Sequence, residues 1–333
     1  MKNSTVREIR TALATASGVE LLDRLPFLAA PLRRLERHPV WHGVVLSAFG
    51  LRQPLFVDHL TDPRPRFGHG RPDHPAVREV IARGADRYAR QLDEVVARRE
   101  VLGRIPVRAD LSGTEPYWAN GWLPPLDAAA LCTFLAAGNP RRYVEIGSGN
   151  STKFARRTIH DCGLRTRIIS IDPAPRATVD RLCDQVVRQP LEDTDLALFS
   201  DLDAGDVVFF DGSHRVLMGS DVTVFFFEVL PRLRPGVLVH VHDIWLPSDY
   251  PPEWRWRHYS EQYLLAAFLL GSPDFDIELP NAYVAAQPDL AGRLAPLWRQ
   301  LALAQMLPPT SFWLRRAVPA EPTSAPGQGR DRR

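Results

Sequence analysis

The chain has 333 residues, of which 45% are hydrophobic and 24% charged, with a formal net charge of +2. A chain of this length and composition can bury a full core and form one large domain beside a smaller one. Its near-neutral balance and scattered basic residues, without a stripe of interleaved aromatics, speak against nucleic acid as a partner.

From the start of the chain, Thr5 to Leu22 and Leu25 to Leu51 lean towards helix, and the Pro- and Gly-rich stretches 61–66 and 68–72 break that pattern. Val77, Val80, Ile81, Ala85, Tyr88, Leu92, Val95 and Val96 recur at spacings of three and four, which predicts one long helix from Pro75 to about Leu102. Such a stripe serves a core or a homodimer seam. A further helix, Leu126 to Ala137, leads into a first strand, and residues 1–115 are expected to form a helical region apart from a domain over 116–316. The segment 317–333, rich in Pro, Gly, Ser and Arg, is expected to be disordered. Cys132, Cys162 and Cys183 lack CxxC spacing and are odd in number, so reduced, buried thiols are expected rather than disulfides or a zinc site. No segment approaches the ~18 apolar residues that span a bilayer and no signal-peptide run opens the chain, so a cytoplasmic protein without a membrane partner is expected.

The run Tyr143-Val144-Glu145-Ile146 predicts a buried strand, and the loop Gly147-Ser148-Gly149-Asn150-Ser151-Thr152 leads from it into a helix. A second strand, Arg167 to Ile171, ends in Asp172, about 25 residues past the first glycine, where doubly wound folds carry the carboxylate that holds a ribose. A dinucleotide loop needs a third glycine so that its backbone can approach a pyrophosphate, and here that place is not glycine. Glu145 would also repel a pyrophosphate and favour a cationic ligand. S-Adenosylmethionine has adenine, ribose and a sulfonium but no phosphate, and fits these residues better.

The alternation then continues. Ala174 to Asp184 is predicted helical, Gln185 to Arg188 a strand, Thr194 to Asp203 a helix, and the apolar run 206–210 a strand buried on both faces. Asp221 to Leu233 reads as a helix and Val237 to Val241 as a strand. The last two strands named end in Asp211-Gly212-Ser213-His214 and His242-Asp243, at the carboxyl ends where such sheets place their ligand crevice. Three readings compete for these residues. Asp211 and Asp243 could share Mg²⁺ or another divalent metal. His214 or His242 could be a general base, with Asp243 beside it. Asp211 could touch the cofactor from beside the first loop. His240 is expected to be a satisfied core histidine and Ser213 a cap for the following helix.

Val144 to Thr152 resembles motif I of class I S-adenosylmethionine-dependent methyltransferases in its Glu-x-Gly-x-Gly form, with Ser151 where the third glycine usually stands. Asp-Gly-Ser-His and His-Asp-Ile resemble the group that includes sugar and macrolide O-methyltransferases, some of them magnesium-dependent. The resemblance covers roughly Trp118 to Arg316. It implies a Rossmann-like, doubly wound, mostly parallel seven-stranded α/β sheet with an N-terminal helical extension. It also implies cofactor contacts from Glu145, Gly147, Ser148, Gly149, Asn150, Asp172 and Asp211, adenine near Glu192 and Asp193, and O-methylation of a small or medium-sized hydroxylated acceptor. A nicotinamide-dependent oxidoreductase and a non-catalytic cofactor-binding scaffold are the rival readings.

Beyond these motifs, the aromatic and proline-rich segment 245–259 reads as a lid over an acceptor or as a loop docked on the N-terminal helices. A helix from Ser260 to Leu270 follows, with Glu261 near its start. A sixth strand (Asp274 to Ala286), an inserted helix (Pro288 to Met306) and a final strand (Ser311 to Arg316) complete the expected order.

Overall fold

The computed structural model describes residues 62–318 apart from 111–112, 176–177 and 305. The helices expected at Thr5 to Leu22 and Leu25 to Leu51, and nearly all of the expected disordered tail, lie outside the described residues.

Three helices come first: α1 (Pro75–Ala82), α2 (Ala85–Ala97) and α3 (Arg99–Leu102). The periodic stripe therefore belongs to a broken helix. The break falls at Gly84, where an added Cβ would stand 2.4 Å from the Tyr88 ring. Tyr88 lays its ring there because its hydroxyl donates to the Ile81 carbonyl at 2.7 Å. Val77, Ile81, Tyr88, Leu92 and Val95 are buried in the same continuous core as the sheet, so the expected division near residue 115 does not interrupt that core. Arg87 fastens α2 to the sheet edge by donating to the Ile277 carbonyl at 2.9 Å and pairing with Asp276 at 3.2 Å.

The helix α4 (Pro125–Gly138) precedes β1 (Arg142–Ile146), and α5 (Asn150–Asp161) connects it to β2 (Arg167–Ile171). After these come β3 (Gln185–Val187), a short α6 (Ala197–Ser200) and β4 (Val207–Phe210), then α7 (Asp221–Val224) and β5 (Leu238–Val241). The helix expected from Ala174 to Asp184 is reduced to a single 3₁₀ turn at Asp180–Leu182. Pro173 and Pro175 stand at its expected start, and the backbone before a proline is driven away from the helical region. Beyond α7 the chain widens to a π-type turn over Phe225–Val229 and tightens to 3₁₀ over Leu230–Arg232, where Pro231 has no N–H to continue the ladder.

Next come α8 (Glu261–Gly271), β6 (Phe275–Pro280), α9 (Asn281–Ala286), α10 (Pro288–Arg293), α11 (Ala295–Leu301) and β7 (Phe312–Arg316). The expected sixth strand thus ends at Pro280 and turns helical. The sheet is seven-stranded in the order β3-β2-β1-β4-β5-β7-β6. Neighbours from β3 to β5 are parallel, whereas β7 is antiparallel to both β5 and β6. This is the doubly wound, mostly parallel α/β class. β4 and β5 are buried throughout, as a sheet covered on both faces requires. At its centre His240 stacks on Phe209 with ring centroids 3.7 Å apart and shares a 2.7 Å hydrogen bond with Ser311. It is the core histidine expected, but satisfied only at Nε2, since its buried Nδ1 has no hydrogen-bond partner, and burial drives its pKa well down. Of the thiols, all free, only Cys132 is buried; Cys162 is exposed and Cys183 half-buried, so the expected burial holds for one of the three.

Candidate active site

The glycine loop sits where the strand order reverses, between β1 and its neighbours β2 and β4. Gly147 has φ +79°, and a Cβ there would stand 1.9 Å from the Asp211 carbonyl oxygen. The turn after β1 and the end of β4 are therefore in direct backbone contact, which only glycine permits. Nothing lies within 4 Å of a Cβ placed on Gly149, so open space fronts that part of the loop. Asp172 stands across from it at the end of β2. One carboxyl oxygen accepts the Ser148 N–H at 2.7 Å and the other the Ala174 N–H at 2.8 Å. Each oxygen keeps a second acceptor site, and the residue is only half-buried. An open loop front facing a half-buried carboxyl group fits a ribose-bearing ligand without phosphate. Ser148 is itself buried, its hydroxyl 2.7 Å from that of Ser170, and Asn150 opens α5.

Glu145 does not line the crevice. It is fully buried, accepts the Tyr143 hydroxyl at 3.0 Å and accepts a close hydrogen bond from Thr152. The Thr152 hydroxyl in turn accepts the Gly149 N–H at 3.1 Å. Glu145 thus braces the loop from behind through Thr152, where the sequence reading placed it against the cofactor. Burial pushes its carboxyl up to about 7 against the hydrogen bonds from Ser151, Thr152 and Tyr143.

The second constellation assembles at the ends of β4 and β5. The His214 Nε2 lies 3.2 Å from Asp211 Oδ1 and 3.5 Å from Asp243 Oδ2. The His242 Nδ1 lies 3.6 Å from Asp211 Oδ1 and 3.4 Å from Asp243 Oδ1. Two imidazoles therefore converge on the same pair of carboxyl groups. Each also has a buried carboxyl group behind it. His214 Nδ1 is 2.8 Å from Glu261 Oε2, at the start of α8, and His242 Nε2 is 3.6 Å from Asp127 Oδ2, in the first turn of α4. Both histidine side chains are 6% exposed, Asp243 14% and Asp211 38%, so Asp211 is the member that an incoming molecule meets first.

The electrostatics follow from this packing. Burial opposes charge on both rings, yet the hydrogen bonds of Asp211 and Glu261 hold His214 well above the usual imidazole range. Asp211 and Asp243 do the same for His242. Burial also works against ionised Asp211, but the two imidazoles hold its carboxyl well below the usual range. Burial pushes Glu261 up to about 7 against the pull of His214.

His214 and Asp243 both adopt left-handed backbone conformations, φ +61° and +57°, which cost a non-glycine residue on the order of 1–2 kcal/mol. Neighbouring elements hold them there. The His214 carbonyl accepts the Ser260 N–H at 2.8 Å and the Glu261 N–H at 3.2 Å. The residue after Asp243, Ile244, donates to the Thr310 carbonyl at 2.8 Å. Ser213 is tied to Asp221 at the head of α7, but the cap is Ser220, whose side chain accepts the Thr223 N–H; that corrects the expected cap.

A divalent metal on Asp211 and Asp243 does not fit these residues. His242 is turned between carboxyl groups, and Ile244 and Trp245 follow Asp243 where a third hard ligand would be needed. Among the described residues no group of three or more His, Cys, Asp or Glu side chains is arranged to hold a metal ion.

The segment 245–259 covers the site from one side. Tyr259 packs on His214 with centroids 4.5 Å apart, and Tyr250, Trp254 and Trp245 pack in turn beside it. Its outer turn docks on the stretch before α1: the Arg66 and Phe67 N–H groups donate to the Asp249 carboxyl at 2.6 and 2.9 Å, and the Ser248 hydroxyl donates to Asp73 at 2.8 Å.

Residues 144–244 match the family of the methyltransferase domain, a span that runs from β1 through the glycine loop, Asp172, Asp211 and His214 to His242 and Asp243. No curated protein matches the sequence. Among solved structures, the SAH-bound methyltransferase PaMTH1 of Podospora anserina is similar at 13% identity and a TM-score of 0.35, covering 72% of this chain and 96% of that one. The matched span is under half of the chain and coincides with strands β1 to β5 of the sheet and the ends that carry both clusters. Among the described residues no helix is long and apolar enough to cross a membrane.

Proposed function

We propose that the protein methylates a hydroxyl group of a small or medium-sized metabolite, with His214 as the general base. The observation that carries this reading is the alignment of Glu261, His214 and Asp211, which runs from a fully buried carboxyl group through a buried imidazole to the most exposed carboxyl of the cluster. S-Adenosylmethionine, when bound, supplies a methyl group already activated by its sulfonium. What remains for the chain is to hold the cofactor, orient the acceptor and remove its proton.

Asp172 and the backbone of Gly147 to Asn150 hold the ribose and methionine side, and Glu192 and Asp193 stand after β3, where adenine is expected. Asp211 orients the acceptor hydroxyl at the mouth of the cluster. His214 Nε2 takes the proton, and Glu261 stabilises the imidazolium through Nδ1. Tyr259 and the lid aromatics keep water from this face.

Isothermal titration with S-adenosylmethionine and with NAD⁺, in EDTA and in Mg²⁺, tests the cofactor; transfer of radiolabelled methyl to a panel of catechol, simple phenols and sugars tests the chemistry. Binding of S-adenosylmethionine with transfer independent of Mg²⁺ is expected. Binding of NAD⁺ instead would overturn the reading, and cofactor binding without transfer to any panel member would favour a non-catalytic cofactor-binding protein.

A further inference from the structure

Asp127 is an acid in an otherwise apolar helix. α4 reads Pro-Leu-Asp-Ala-Ala-Ala-Leu-Cys-Thr-Phe-Leu, and every one of these residues is buried. A buried acid is costly unless its oxygens are fully engaged. Asp127 Oδ1 accepts the Asn281 side-chain amide at 2.7 Å, and Oδ2 accepts the Thr310 N–H at 2.8 Å and its hydroxyl at 3.4 Å. Three separate elements, α4, the start of α9 and the approach to β7, thus fix one carboxyl group in place. The only reacting group that it faces is His242, whose Nε2 is buried without a hydrogen-bond partner and lies 3.6 Å from Oδ2.

The geometry points to Asp127 as a positioning residue that keeps a proton on His242 Nε2 and fixes the aim of the ring. Oδ2 already accepts an N–H from Thr310, so it presents a lone pair to its other neighbours, and the ring nitrogen facing it must carry a proton. With Nε2 held as N–H towards Asp127, the ring turns its Nδ1–H towards Asp211 and Asp243. The distance exceeds that of a formed hydrogen bond, and it is of the kind that shortens when a ligand closes a site. Thr310 extends the same brace: its hydroxyl, besides facing Asp127, lies 3.3 Å from Asp243 Oδ1. One buried carboxyl group thereby sets the orientation of His242 directly and shares an anchor with Asp243. This inference rests on the methyltransferase reading for its catalytic consequence, but not for the Nε2 proton.

Long-range ¹H–¹⁵N correlation on histidine-labelled protein, with and without S-adenosylhomocysteine, reads the protonation of each His242 nitrogen in the wild type. A proton on His242 Nε2 at neutral pH is expected, and an Nε2 without a proton would overturn the assignment. In Asp127→Asn, whose amide can turn a donor towards His242, the Nε2–H signal should be lost. With whichever panel compound is methylated, kcat should fall about 10- to 100-fold while the cofactor affinity stays within about threefold, as for other groups that orient a reacting residue. A folded variant with unchanged kcat and unchanged His242 signals would sink the proposal. A variant that does not fold leaves the wild-type reading to decide. A protonated Nε2 in a protein that transfers no methyl group would uphold the role of Asp127 and defeat the functional reading alone.

Discussion

His214 Nδ1 stands 2.8 Å from Glu261 Oε2, across 47 residues of sequence and with both side chains enclosed. Asp211 and Glu261 keep the proton on His214 to higher pH than on an ordinary histidine. The base form of His214 accordingly grows only as pH rises through that elevated value. Glu261→Gln, which keeps the shape and removes the charge, should lower kcat by about 10- to 100-fold and move the ascending limb of the pH–rate profile to lower pH. A limb that stays in place in Glu261→Gln would mean that another group sets it.

Cofactor affinity should depend on Asp172. A hydrogen bond to a charged group is worth on the order of 1.5 to 3 kcal/mol, so Asp172→Ala should weaken S-adenosylmethionine binding by about one to two decades in a titration. Because Asp172 also receives the Ser148 N–H, Asp172→Asn is the control for loop collapse. An affinity unchanged in both variants removes Asp172 from the ribose site.

The two glycines of the loop should respond in opposite ways. Gly147→Ala drives a Cβ into the Asp211 carbonyl at a left-handed backbone position, so a fall in Tm and loss of cofactor binding are expected together. Gly149 has an extended backbone and open space in front of it. Gly149→Ala should leave Tm nearly unchanged and reduce only cofactor affinity, which a thermal melt and a titration measured side by side will show.

Glu145 makes stability depend on pH. Its folded value of about 7 lies above the unfolded 4.5, so the protonated form is favoured in the fold. The stabilisation is full below pH 4.5 and is lost as pH rises through about 7. Two to three pH units correspond to about 3 kcal/mol. Glu261, also raised to about 7, loses stabilisation over the same window, and the raised His214 and His242 lose it in the same direction at pH values above 6.5. Glu145→Gln should therefore lessen the decline of stability between pH 5 and 7, leaving the share of Glu261 and the decline at higher pH. A denaturant midpoint with the same slope in both proteins over the lower window would contradict the assignment.

Much of this was legible in the sequence, for identifiable reasons. β1, β2, β4 and β5 are short apolar runs because both faces of a parallel sheet are covered, and polar residues gather at their carboxyl ends. Asp211, His214, His242 and Asp243 could be found that way because each pair is contiguous or nearly so. Glu261 and Asp127 could not, since their partners lie 47 and 115 positions away and the fold alone makes the connection. Each left a trace all the same: Asp127 is the one acid in an apolar helix, and Glu261 heads another. The break at Gly84 was hidden because the apolar spacing of Tyr88 and Leu92 continues across it, and only the packing of the Tyr88 ring reveals the turn. The metal expectation failed because carboxyl groups at two strand ends look the same in sequence whether a cation or an imidazole lies between them.

The strand order has a consequence for synthesis. β7 lies between β5 and β6, both of which leave the ribosome before it. Until residues 310–316 emerge, β5 and β6 lack the neighbour that joins them, and Asp127 lacks the Thr310 amide that anchors it. The carboxyl-terminal segment is thus the keystone of both sheet and site, and a nascent chain stalled before it would present the glycine loop whole and the histidine cluster unfinished.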